Sequence, residues 1–288
     1  MADALDAKAR MLRSRYPQAF VPPLSGRLLA WAGWGAFSVL IFFSAVHLGL
    51  SVRQFWEGLG KLGFLVGALF PPAHGGNLGI FLYGALETLA MAFLGTLLAA
   101  IAAVPLGFFG ARNVVANRLL HFVTRRCFDI FRGIDVLIWA LLFVSAVGLG
   151  PFAGILAIAA SDLGTLSKLF SEAIENADRR PIEGTRASGA SHLQVARYGI
   201  LPQVLPVFVS NTLYFFESNT RSASILGIVG AGGIGLQLSD RIRVNEWGQV
   251  CSILIIIVLL VAIIDRLSRS IRVRLTTGAQ LPENPQGG

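Results

Sequence analysis

Leu28–Leu50 runs for 23 residues without a charged side chain. As an α-helix it measures about 34 Å, enough to cross the hydrocarbon core of a bilayer. Further apolar runs follow at Ile80–Phe109, interrupted only by Glu87, and at Val136–Gly148, Phe152–Leu166, Val204–Phe216 and Val250–Ile264. The middle runs are short, so their helices must borrow flanking polar residues that face protein or water. Only 14% of the 288 residues are charged, against roughly 25% in soluble domains, which argues against a solvated globule and excludes disorder. The chain reads as an all-α membrane protein with six transmembrane helices.

An even number of crossings puts both termini on one side. Of the 24 Lys and Arg residues, 19 fall in residues 1–27, 112–132, 168–197 and 266–274. The positive-inside rule therefore places those segments, and both ends, in the cytoplasm. This distribution accounts for the net charge of +8 better than nucleic-acid binding, since no aromatic-interleaved basic face is present. The first run is too long for a signal peptide, and SAVHLGL offers no cleavage site; it reads as a retained anchor. The expected organisation is a cytoplasmic tail (1–27), a first helix (28–50), an external segment (51–77), a core (78–275) containing a cytoplasmic loop (171–202), and a cytoplasmic tail (276–288). Phe55, Leu59, Leu62, Val66 and Leu69 give the external segment an amphipathic helix, lying in the interface or packed on a neighbouring subunit. Pro71-Pro72 ends it, and Gly148-Leu-Gly-Pro151 turns the third crossing into the fourth.

Two phosphate-binding look-alikes fail on context. Gly184-Thr-Arg-Ala-Ser-Gly189-Ala-Ser191 lacks the lysine that reaches terminal phosphates. Gly230-Ala-Gly-Gly-Ile-Gly235 matches the dinucleotide fingerprint without a surrounding βαβ unit, so backbone flexibility beside a membrane helix accounts for it better. Four isolated His and two distant Cys give no metal spacing, and no acid–base or nucleophile constellation is readable.

The loop instead carries the informative pattern. Pro181 suits a helix start before Glu183; Gly189 permits close backbone approach; Pro202 ends the segment before the next crossing. Physics alone allows a short amphipathic helix that pushes on a partner, or one that lies on the membrane. Here the residues carry a resemblance. Glu183, Gly189, Leu201 and Pro202 have the spacing of the coupling loop of ABC-importer permeases, with Gly184-Thr185 replacing the family's Ala-Ala and Gly199 at its usual Ile. Gly148–Gly154, Leu166–Ala173, Tyr198–Pro206, Phe216–Ser222 and Gly230–Gly235 together resemble the permease subunit of phosphonate importers, over roughly residues 80–275. The resemblance implies a type I importer fold, an N-terminal helix plus a five-helix core. It also implies a second permease subunit (a homodimer by preference, a heterodimer remaining open), two cytoplasmic ATPases docked on the loop, and an external substrate-binding protein. ATP and magnesium would bind the ATPases and no cofactor this chain; lipid surrounds it, and no nucleic acid is involved.

Glu217 and Arg221 are four apart with the acid first, the favourable order for a helical ion pair. Arg221 with Ser218, Asn219 and Ser222 can present donors to a passing anion, or Glu217–Arg221 can be a self-neutralised packing lock. Glu87, a lone acid, is expected to contact Arg221 as well. Asp162 has no evident local partner. The reading is a translocation subunit for phosphonate or a related phosphorus oxyanion, worked by a separate ATPase. A secondary transporter using Glu87, Asp162 and Glu217 as a proton relay is the rival. A membrane-embedded enzyme would need an acid–base set that the sequence does not offer.

Overall fold

The computed structural model describes Met11 and residues 24–49, 51–115 and 117–277, and these are helical with no strand. The expected terminal tails fall largely outside these residues. The chain divides at Leu65 into two units. The first holds α1 (Leu24–His47) and most of α2 (Val52–Leu69). Helix α1 exposes apolar side chains on every face, Trp31 and Trp34 among them, as a helix solvated by lipid does. Helix α2 keeps Phe55, Leu59, Leu62 and Val66 exposed on its stripe and stops ahead of Pro71-Pro72, where the pre-proline position disfavours helix.

The second unit is built on α3 (Leu78–Gly110) and α6 (Pro151–Glu175). They run parallel: Gly154 faces Met91, Gly95 faces Ile158 and Gly107 faces Phe170. Small residues let the two backbones approach, which is how helices gain packing energy where lipid supplies no hydrophobic drive between them. Gly148 and Gly150 take positive φ at the tight turn expected there, and Pro151 opens α6.

The third crossing differs from expectation. Helix α5 (Val136–Val147) has 12 residues, about 18 Å, too short to span alone. It meets α4 (Arg118–Gly133) at 85°, with the Asp135 carboxylate accepting the Leu137 N–H at 2.8 Å to cap the new start. Among the described residues, five helices are long and apolar enough to cross, and counting the bent pair as one span makes six. Charges on α4 fasten it to α6 at one end of the unit, the loop end. Arg125 donates to Glu175 at 3.0 Å and lies 3.5 Å from Glu172, while Lys168 donates to Asp129 at 2.9 Å.

Beyond α6 come α7 (Arg179–Ala187), a three-residue α8 (His192–Gln194), a π-turn (Val195–Ile200), α9 (Leu201–Leu226), α10 (Gly233–Arg243) and α11 (Trp247–Thr277). Helix α9 packs against α3, α6 and α11. At the loop end Phe170 and Phe208 stack with centroids 3.9 Å apart, inside an apolar cluster that includes Ala103, Ile174, Ile182 and Ile200.

A Cβ on Gly95 would lie 2.7 Å from Cβ of Ile158. Gly95→Val should therefore destabilise the protein by about 1–3 kcal/mol, read as a lowered melting temperature in detergent. Gly63→Ala on α2, where nothing lies within 4 Å, should leave that temperature unchanged or slightly raised. Equal melting behaviour of the two variants would contradict the packing described.

Candidate functional site

Asp178 caps α7 by accepting the Arg180 N–H at 3.0 Å, so the helix starts two residues before Pro181, which sits within its first turn. Ile182 is buried beneath it and Glu183 exposed. The helix stops at a turn where Gly189 has φ +82° and open space beside it. Gly189 is thus required by backbone conformation, and close approach occurs instead at Gly199, where a Cβ would meet Cα of Ile182 at 3.3 Å. A reciprocal capping box at Ser191 and Gln194 restarts the chain.

Pro202 does not end the segment. It sits in the first turn of α9, directly after the π-turn, in which the Leu201 N–H donates to the Ala196 carbonyl. Widening the helix ahead of Pro202 accommodates a ring that would otherwise crowd the preceding turn. The Gln203 amide spans the freed groups. It donates to the Gly199 carbonyl at 2.6 Å and the Asp178 carbonyl at 3.2 Å, and accepts the Asp178 N–H at 2.9 Å. Leu201 is half-buried and Pro202 exposed. The four residues singled out in the sequence therefore divide between the α7 loop (Glu183, Gly189) and the first turn of α9 (Leu201, Pro202), two segments clasped together by Gln203. Beside it an apolar groove of about 540 Å³ is lined by Pro105, Phe108, His192, Leu193 and Leu201, with Leu193 84% exposed.

The glycine-rich turn at 230–235 uses the backbone freedom that glycine alone offers. Gly230, Gly232 and Gly233 all have positive φ, and Gly235 has no room for a Cβ against the Ser224 carbonyl. Glu87 does not reach Arg221. Its carboxylate accepts the Gly233 N–H at 2.8 Å, and Thr88 Oγ1 accepts the Ile234 N–H at 2.9 Å. Two residues of α3 thus satisfy the open N-terminus of α10, where a negative group is favoured by the helix dipole.

Arg221 and Glu217 are neighbours at 3.9 Å, but each has a better partner on α11. Arg221 donates to Asp265 at 3.0 Å, and Arg272 donates to Glu217 at 2.6 Å while lying 5.9 Å from the Tyr214 ring. Asp265 and Arg272 went unrecognised in the sequence, although their spacing of seven puts them on one helix face. Ser218 and Ser222 are half-buried, the Ser222 hydroxyl directed to the Ser218 carbonyl at 3.4 Å. Asn219 faces away from this ladder. It is buried and donates to Asp162, the acid without an evident partner, and to Thr96 at 2.8 Å.

Residues 103–276 match the family described as binding-protein-dependent transport system inner membrane component. A putative phosphite transport system permease protein, HtxC of Stutzerimonas stutzeri, is 41% identical over 77% of this chain and 79% of its own length. The phosphite transport system permease protein PtxC of the same organism is 36% identical over 81% and 87%. The inward-facing MetNI methionine ABC transporter has a chain of the same fold, with TM-score 0.62 and 24% identity over 70% of this chain and 99% of that one. This chain belongs to the binding-protein-dependent transport system inner membrane components and is a multi-pass permease subunit of the inner membrane.

The two rungs of the α9–α11 ladder differ in burial, the side chains of Glu217 and Arg272 keeping 15% and 24% of their exposure against 46% and 34% for Arg221 and Asp265. Glu217→Ala should cost about 2 kcal/mol by removing the half-buried carboxylate to which Arg272 donates, whereas Asp265→Asn should cost less than about 1 kcal/mol, compared by thermal unfolding. Glu87→Gln, which keeps an acceptor for Gly233, should be mild. Glu87→Ala should cost about 1–3 kcal/mol for the unsatisfied backbone donor. Indistinguishable Glu87 variants would contradict the capping role.

Proposed function

We propose that this permease carries phosphonate or a related phosphorus oxyanion, such as phosphite, inward at the expense of ATP hydrolysed by a separate subunit. The names of the two relatives, matched over more than three quarters of their length, support the substrate class. The observation that carries the mechanism is the clasp between loop and span. Ile182 is buried against the π-turn and Gln203 ties Asp178 to α9, so displacement of α7 must displace α9. Glu183, Gly189, Leu201 and Pro202 form the surface to which an ATPase docks, with the apolar groove beside Leu193 extending it. Both termini and this loop are cytoplasmic. Two ATPases hold ATP and magnesium, an external binding protein delivers the anion, and a second permease subunit, identical or paralogous, completes the pathway. The chain itself performs no catalysis.

Transport then proceeds by rocking between two packings of the helices. Arg221, with Ser218 and Ser222 beside it, serves the anion when its more exposed partner Asp265 releases it. The buried Glu217–Arg272 rung keeps α9 and α11 together throughout, and Glu87 with Thr88 holds the α10 turn against α3.

The complex reconstituted in proteoliposomes should take up labelled phosphite or methylphosphonate only when ATP is available on the loop side and binding protein on the other. Uptake driven by a proton gradient without ATP would replace this reading with a secondary transporter. Gly189→Val forces a β-branched residue to positive φ at a cost of about 1–2 kcal/mol. It should lower both ATPase co-purification and uptake, and full retention of both would remove the docking role from this turn.

A further inference from the structure

Asp162 of α6 is buried, 5% exposed, and so are Thr96 of α3 and Asn219 of α9, at 1% and 6%. The three side chains meet at one level. The Asn219 amide donates to Asp162 and, at 2.8 Å, to Thr96 Oγ1, whose own hydroxyl donates to the Ala92 carbonyl at 2.7 Å. Ala92, Ala223 and Ile158 belong to the apolar cluster of this region. Asp162 takes part in none of the ion pairs among the described residues. Apolar side chains of similar volume would hold such a site together at least as well, since buried polar groups contribute little net stability once desolvation is counted. What a polar junction adds is discrimination: a helix slipped by even one residue parts Asn219 from both Asp162 and Thr96.

The position of the junction gives that discrimination a use. Helices α3 and α6 form one pair through their glycine contacts, and α9 and α11 form another through two ion pairs. Among the described residues, the Asn219 bonds are the side-chain hydrogen bonds that join α9 to α3 and α6. They lie between the Gln203 clasp at one end of α9 and Arg221 toward the other. We infer that Asp162 is a positioning residue for transport: by holding Asn219 it fixes the register of α9 on the α3–α6 pair, so that a stroke applied at the α7 loop reaches the level of Arg221 instead of being lost as slippage. This inference rests on the ATP-driven reading above.

The test uses the complete complex with its ATPase and binding protein, and reads phosphite uptake and binding-protein-stimulated ATP hydrolysis on the same proteoliposomes. Wild-type complex must first show ATP-dependent uptake; if it does not, the transport reading fails before this one is examined. Asp162→Leu should leave stimulated hydrolysis within about twofold while uptake per ATP falls about tenfold, the scale expected for loss of an energetic coupling. Asp162→Asn keeps an acceptor for Asn219 and should restore the ratio to within about threefold of wild type. If Asp162→Leu does not assemble, Thr96→Val, which preserves shape while removing one partner of Asn219, decides the matter by a fall of about threefold in uptake per ATP. An assembled Asp162→Leu with a wild-type ratio overturns the inference. So does an Asp162→Asn as uncoupled as the leucine variant, or, where the leucine variant fails to assemble, a Thr96→Val at the wild-type ratio.

Discussion

Lipid offers no hydrogen bonds, so every interruption of a helix inside the membrane must hand its backbone groups to a neighbouring part of the protein. That requirement explains where the polar side chains of this chain are spent. Glu87 and Thr88 receive the N–H groups exposed where α10 begins, and Asp135 receives one where α5 begins. Gln203 covers carbonyls left open around the π-turn. Glu87, which looks like an isolated charge in the sequence, is in this way the missing end of another helix.

The same bookkeeping turns α9 into the mechanical centre of the unit. At one end it is bound to the α7 loop by Gln203 and by the burial of Ile182. Farther along it is braced on α11 by two ion pairs and on α3 and α6 by Asn219. A displacement of the loop has a stiff route into the bundle, because the contacts at each step are hydrogen-bonded or close-packed.

The crossings were legible because a bilayer imposes a length and a composition that a run such as Val250–Ile264 cannot hide. The loop was legible because polar sequence between two apolar runs has few other places to go, and because its residues resemble a known family. Partners were less so. Glu217 and Arg221 show a favourable local spacing, yet tertiary partners win: Arg272, 55 residues away, takes Glu217, and Asp265 takes Arg221. The Asn219 contact with Thr96 spans 123 residues and leaves no periodic trace. Glycines misled for a related reason. Sequence marks where a Cβ is missing but not whether φ or a neighbour demands it, so the close approach expected at Gly189 belongs to Gly199. The backbone donor of Gly233, which answers Glu87, carries no sequence signature at all.

The π-turn at Val195–Ile200 holds one more residue than the α-helical turn it replaces. Removing that residue would wind the loop side by about 100° around the α9 axis, carrying Asp178 away from Gln203 and Ile182 away from the cluster it shares with Phe208. The bearing of the α7 loop is therefore set twice, by the inserted position and by the seating of Ile182, Val195 and Ile200 against Phe170 and Phe208. One deletion there would re-aim the loop only together with a matching change in the apolar residues beneath it.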